Sequence, residues 1–185
     1  MACTKKIAYD ILNSCETIPV AGFEKKGWIL NREDMTATLD GTDEAKITAI
    51  AMAGATVAYT ITAVKKENNG GFDLAVADNS PDTFLHYFSF QPFERDAQSI
   101  QNVDQMNDLV IICEQKGSKT EGCFVVYGLE TGLYKKAASQ RVNENLGLPT
   151  YELSSQEGQG ERFSRYIFWD TDYATTLAAL VALET

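Results

Sequence analysis

The chain has 185 residues, a net charge of −10, a hydrophobic fraction of 44% and a charged fraction of 23%. That is one domain's length, enough to bury roughly 70% of the surface the unfolded chain exposes. The acidic balance argues against nucleic-acid recognition through a basic stripe. No apolar run approaches the ~20 residues of a membrane helix.

The first residues, MACTKK, have lysines but no apolar segment behind them, so the chain reads as soluble and not exported by a cleaved signal. Residues 1–26 contain TIPVAGFEKKG, punctuated by Pro and Gly without a clear period, and read as an irregular N-terminal arm. Residues 27–185 then form a single β-rich domain. GWILN (27–31), KITAIAM (46–52) and AYTITAV (58–64) are strand candidates, rich in Val, Ile, Thr and Tyr. LDGTDE (39–44), KENNGGFD (66–73) and ADNSPD (77–82) carry reversing-loop residues, and Asn69-Gly70-Gly71 is the strongest hairpin-turn signal among them.

HYFSF (86–90) belongs to an aromatic strand with apolar groups on both faces. After Pro92-Phe93, residues 94–108 space Ala97, Ile100, Val103 and Met106 by three, which predicts one helix with a single apolar stripe laid on a sheet. DLVIICEQ (108–115) and CFVVYGL (123–129) are strands joined by the hairpin tip EQKGSKTEG. In CFVVYGLETGLYKK, Gly128 and Gly132 bracket a reversal that reads as a sheet hairpin. It leads into residues 137–160, a polar, Gly-containing stretch that reads as a long loop suited to touching a neighbouring subunit. ERFSRYIFW (161–169) is the last strand candidate, and the Ala-rich C-terminal segment is open between helix and strand. The fold class expected is mainly β with one α-helix, a β-sandwich or β-barrel flanked by that helix.

The search for chemistry finds no catalytic residue, no metal site and no cofactor. A Ser-His-acid triad would have to run through His86, the one histidine, which sits inside the aromatic strand. Cys3, Cys15, Cys113 and Cys123 lack a CxxC spacing and read as reduced structural thiols; Cys113 and Cys123 flank one loop and sit on neighbouring strands. The acidic groups are Asp40, Asp43 and Glu44; Asp78 and Asp82; and Asp170 and Asp172. Asp170-Thr-Asp172 has a spacing found in calcium and glycosidase sites, but it is common by chance in an acidic chain, and none of these groups matches an EF-hand loop. EGQGER has two glycines without the strand-to-helix context of a phosphate loop. As a ligand module, the chain would use Trp28, Tyr87, Tyr127 or Trp169 as a stacking platform.

The order CETIPVAGFEKKGWILNREDM, central helix, YGLETGLYKKAASQ and polar stretch resembles virion proteins of the phage tail-tube type, as carried by phages and prophages of gut Bacteroidetes. The resemblance implies a self-assembling structural protein of the virion, made in the host-cell cytoplasm, with no catalytic residues. Its subunits would join into rings, commonly hexameric, that stack around a channel. Its partners would be other copies of itself, other virion proteins and DNA as passing cargo, with no membrane. A negative lumen would repel the phosphate backbone and let DNA slide. A head–tail connector, a tail terminator or a capsid decoration protein are the sister roles.

Overall fold

The computed structural model describes residues 20–62, 68–76, 81–92, 96–117, 119–144 and 147–185. Most of the N-terminal arm, Cys3, Cys15 and Asp78 lie outside these residues. The described chain is mainly β, with two open sheets and two α-helices.

The larger sheet, sheet A, contains β1 (Phe23–Asn31), β2 (Met35–Leu39), β3 (Lys46–Met52), β4 (Tyr59–Thr62), β7 (Leu109–Gln115), β8 (Phe124–Tyr127) and β11 (Tyr166–Phe168). Its order is β2-β3-β11-β8-β7-β1-β4, antiparallel except where β11 runs parallel to β3. Sheet B is β5 (Asn69–Ala75), β6 (Thr83–Phe90), β10 (Thr150–Ser154) and β9 (Tyr134–Ser139), in the order β5-β6-β10-β9. Both sheets have free ends, so the sandwich forms rather than the closed barrel offered as its alternative.

Two apolar layers hold the structure together. Ile29, Ile111, Val125 and Tyr127 of sheet A meet Phe88, Phe90 and Leu153 of sheet B, with Val103 of α1 (Ala97–Asp104) closing one side. On the far face of sheet A, Trp28, Ile112, Phe124 and Phe168 pack with Leu180 of α2 (Tyr173–Ala182). A sheet covered on both faces needs no alternation, which is why LVIIC and FVVY are continuous apolar runs. Sheet B packs on sheet A: the Phe88 ring lies 6.4 Å from that of Phe23, and His86 packs edge-on against Tyr127 and Tyr166.

Several elements depart from the sequence reading. β1 begins at Phe23, inside the range read as arm, because Phe23 enters the inter-sheet core. β2 is a further strand, and residues 161–169 form a strand only at Tyr166–Phe168. The first helix is shorter than 94–108, and the C-terminal segment is a second helix rather than a strand. Asp172 caps α2 by accepting the Thr175 amide at 2.8 Å. Asp172→Ala should lower stability by about 1 kcal/mol, seen as a melting temperature roughly 2–4 °C lower.

Asn69-Gly70-Gly71 is not a turn but the start of β5, paired in register with Ser89, Phe88 and Tyr87. A side chain at Gly70 would come within 2.8 Å of the Tyr127 ring, so glycine here admits a close approach of the two sheets. Residues 137–160 are not one long loop. They hold the end of β9 and all of β10, whose Tyr151 and Leu153 face the core while Glu152 points outward. β8 and β9 do not form a hairpin either: the turn between them carries the chain from sheet A to sheet B.

Candidate functional site

The densest cluster of buried polar groups surrounds that crossover. After β8 the chain passes through Gly128, Leu129, Glu130, Thr131 and Gly132, and both glycines have positive φ. It then bridges from Leu133 to Leu109 and enters β9. The return crossing lies beside it: Glu161 pairs with Phe84 of sheet B through two backbone bonds of 2.8 and 2.9 Å, and four residues after Arg162 the chain is in β11 of sheet A.

Glu161 ties the two crossings together. Its carboxylate is fully buried and accepts the amides of Glu130 and Thr131 at 2.9 and 3.0 Å, and the Thr131 hydroxyl at 3.0 Å. His86 holds the same turn from β6. Gly128 N–H donates to His86 Nδ1 at 3.1 Å, and Nε2 lies 2.9 Å from the Phe163 carbonyl. Since Nδ1 accepts, this network assigns the neutral Nε2–H tautomer, which donates to Phe163. Burial pushes the imidazole's protonation down, against the opposing charges of Glu161 and then Glu130. The buried Tyr166 hydroxyl shares the site, and burial followed by the Glu130 charge drives its ionisation upward.

The opposite side of the turn is clamped by charge. Arg32 donates Nε and Nη2 to the two oxygens of Asp108, at 2.6 and 3.0 Å, and Nη1 to the Glu130 carbonyl at 3.2 Å. The Asp108 carboxylate raises the Arg32 pKa. Asp108 has φ 52°, the one non-glycine residue with positive φ among the described residues. A Cβ at Gly132 would lie on top of Asp108 Oδ1, so this position requires glycine both for its backbone and for the ion pair. On the rim, Arg162 pairs with Glu130 and, at 3.3 Å, with Glu44. An open cleft of about 300 Å³ lies beside it, between β2 and the turn, lined by Met35, Ala37 and Leu129.

Chemically the cluster is a clasp. Both His86 nitrogens and both Glu161 oxygens are committed to backbone groups, so neither is available as a base while the turn is closed. Sequence reasoning singled out His86 but not Glu161, Arg32 or Asp108, because their partners lie 30 or more residues away in the chain.

The remaining candidates separate. Asp40 caps a local turn, accepting the Thr42 and Asp43 amides at 2.8 and 3.1 Å, and these bonds hold its pKa below the usual carboxylate range. Glu44 belongs to the Arg162 pair, and Asp172 is a helix cap. Asp170 donates its amide to the Thr176 hydroxyl. Asp82 is exposed. Among the described residues no three His, Cys, Asp or Glu side chains converge as a metal site would need. Cys113 and Cys123 lie on and beside neighbouring strands but in the two different cores, on opposite faces of sheet A. Burial pushes the Cys123 thiol up to about 11 and Cys113 higher still. Trp28, Tyr127 and Trp169 are buried, which removes them as stacking platforms; Tyr87, 36% exposed, stays on the surface.

Comparison with protein-family models, with curated proteins and with solved structures returns no match to this chain.

Proposed function

We propose that the chain is a self-assembling virion structural protein, a tail-tube subunit whose sixfold rings stack around a DNA-conducting channel. The observation that carries this reading is sheet B: four antiparallel strands with both edges and the outward face uncovered among the described residues. An open sheet of that kind is a surface that proteins either protect or pair. Its outward face carries Asp73, Glu152, Ser89, Ser154 and Tyr87, with the half-buried Leu85 opposite Asp73. The net charge of −10 suits a wall that phosphates slide past. The resemblance of the sequence to tail-tube proteins points the same way. The sandwich clasped at its crossovers would serve as the rigid brick.

Negative-stain microscopy of the purified protein tests this. Rings of uniform diameter that stack into tubes are expected. A single closed ring that never stacks would indicate a connector or terminator role instead. A monodisperse monomer at millimolar concentration would defeat the assembly reading. The assembled protein should also fail to retain duplex DNA on a filter even at 50 mM salt, where any basic channel would hold it.

A further inference from the structure

α2 is apolar on the side that faces solvent. Between Asp172 and Glu184 the chain carries no charge, and Thr176 and Leu180 already take the side turned to the core. On the other side Ala174, Ala178, Val181 and Ala182 are exposed, Val181 by 45%. With Tyr173 and Leu177 they line an open trough of about 580 Å³, which α2 alone forms among the described residues. A helix that is apolar all round is a buried helix, so this face calls for a cover.

The sequence and the path of the chain point to one. Ahead of Thr17-Ile18-Pro19, residues 5–16 read KKIAYDILNSCE. Ile7, Ile11 and Cys15 are spaced by four with Ala8 and Leu12 beside them, while Lys6, Asp10, Asn13 and Ser14 take the opposite side of the same wheel. That is the pattern of an amphipathic helix about 18 Å long, against about 15 Å for the 10 residues of α2. Val20, the first described residue, lies against Gly117, and Lys116 N–H donates to the Gly22 carbonyl at 3.0 Å. The same β7–β8 tip holds the start of α2. Lys119 Nζ sits 4.4 Å from the Tyr173 ring, and the Tyr173 hydroxyl donates to Glu114 at 2.9 Å. At the far end of α2, Glu184 accepts Trp28 Nε1 at 2.7 Å and pairs with Lys26. The chain therefore enters the described fold where α2 begins.

We infer that residues 5–16 dock as a helix along the outer face of α2 of the same chain, antiparallel to it. Ile7, Ile11 and Cys15 then lie over Ala182, Ala178 and Ala174, whose small side chains let the two helices approach closely. Antiparallel seating also suits the charges. Lys5 and Lys6 reach the carbonyl end of α2 beside Glu184, and Glu16 reaches Lys119 at its amide end. The α2 of a second copy is the poorer occupant, because alanine would face alanine and leave the trough unfilled. The short link through Pro19 holds the chain's own segment at a high local concentration. The contact belongs to one chain, so it holds whether or not copies assemble as proposed above.

Hydrogen exchange and disulfide trapping on the full chain test it. Amides of residues 7–15 should exchange at least about tenfold more slowly than in an unstructured chain. Ala178→Arg puts a charge into the trough at an exposed helix position and should remove that protection, while exchange in β7 stays unchanged. In a Cys3→Ser background, mild oxidation should join Ala174→Cys to Cys15 within one chain, at a rate independent of protein concentration; Cys113 and Cys123 are buried. Ala182→Cys, about 12 Å further along α2, should give no such product. Residues 7–15 that exchange freely, or that stay protected in Ala178→Arg, overturn the docking. Absence of the Ala174→Cys product overturns the antiparallel seating. Covalent dimers whose yield rises with concentration overturn the same-chain contact, and if they persist with Cys15→Ser the occupant is α2 of a second copy.

Discussion

Glu161→Ala is expected to destabilise the protein by about 3–5 kcal/mol, the range for removing a buried charged acceptor from several donors. The loss arises in one place. The amides of Glu130 and Thr131 and the Thr131 hydroxyl all end on this carboxylate, and alanine leaves them facing a space that the side chain had filled. The turn they belong to joins the sheets, so its loosening weakens the inter-sheet core rather than a surface loop. For a chain of this size the melting temperature should fall by roughly 6–20 °C. Glu161→Gln is the discriminating variant. A carboxamide oxygen in the place of Oε1 keeps both Thr131 bonds and the 3.1 Å contact with the Glu130 amide, while the carboxamide nitrogen replaces the oxygen 2.9 Å from that amide and forfeits its bond together with the charge. Its cost should be about 1–2 kcal/mol. Equal losses in the two variants would show that charge rather than the clasp matters. A loss below 1 kcal/mol for alanine would remove Glu161 from the account of the fold.

That clasp marks the boundary of what the sequence can tell. Locally, YGLETGLYKK has every feature of a hairpin, two glycines bracketing a short polar turn between apolar runs. What makes it a crossover is Glu161, thirty residues on, which no periodicity connects to it. The strands that alternate between clear turn signals were legible: β3 has the bounds expected of KITAIAM, and β7 and β8 lie within the apolar runs that name them. Asn69-Gly70-Gly71 misleads because glycine serves two purposes. It permits positive φ in turns, but here it lets the Tyr127 ring approach a strand. β10 was hidden in a polar stretch although Tyr151 and Leu153 alternate with Thr150, Glu152 and Ser154, a period-2 signal carried by only two apolar residues. At the site, His86 stood out as the one histidine, whereas Arg32 and Asp108 look like two more surface charges until the fold brings them within 2.6 Å. The sandwich class follows from composition and pattern, while the pairing of strands into two sheets is a long-range fact.

The second large effect is a pH dependence centred on His86. The folded state holds the imidazole neutral because it is buried and because Nδ1 accepts the Gly128 amide, a bond the imidazolium cannot make. The unfolded chain has no such restraint and takes up its proton near pH 6.5. Below that value the unfolded state binds more protons than the folded one, so stability rises with pH. His86's contribution is therefore complete above about pH 6.5 and is lost as the pH falls from there toward the depressed folded value. The slope from this one group cannot exceed about 1.4 kcal/mol per pH unit. The carboxylates of Glu161 and Glu130, which favour the charged ring, soften the loss without reversing its sign. Denaturant midpoints measured between pH 5 and pH 8 should fall on the acid side, and amide exchange at Gly128, Glu130 and Thr131 should quicken before exchange in β7 does. His86→Leu should flatten that stretch of the profile. It should also cost about 2–4 kcal/mol at pH 8, because Gly128 N–H and the Phe163 carbonyl then lose their partner. A profile in the variant as steep as in the wild type between pH 5 and pH 6.5 would assign the acid sensitivity to the surface carboxylates instead.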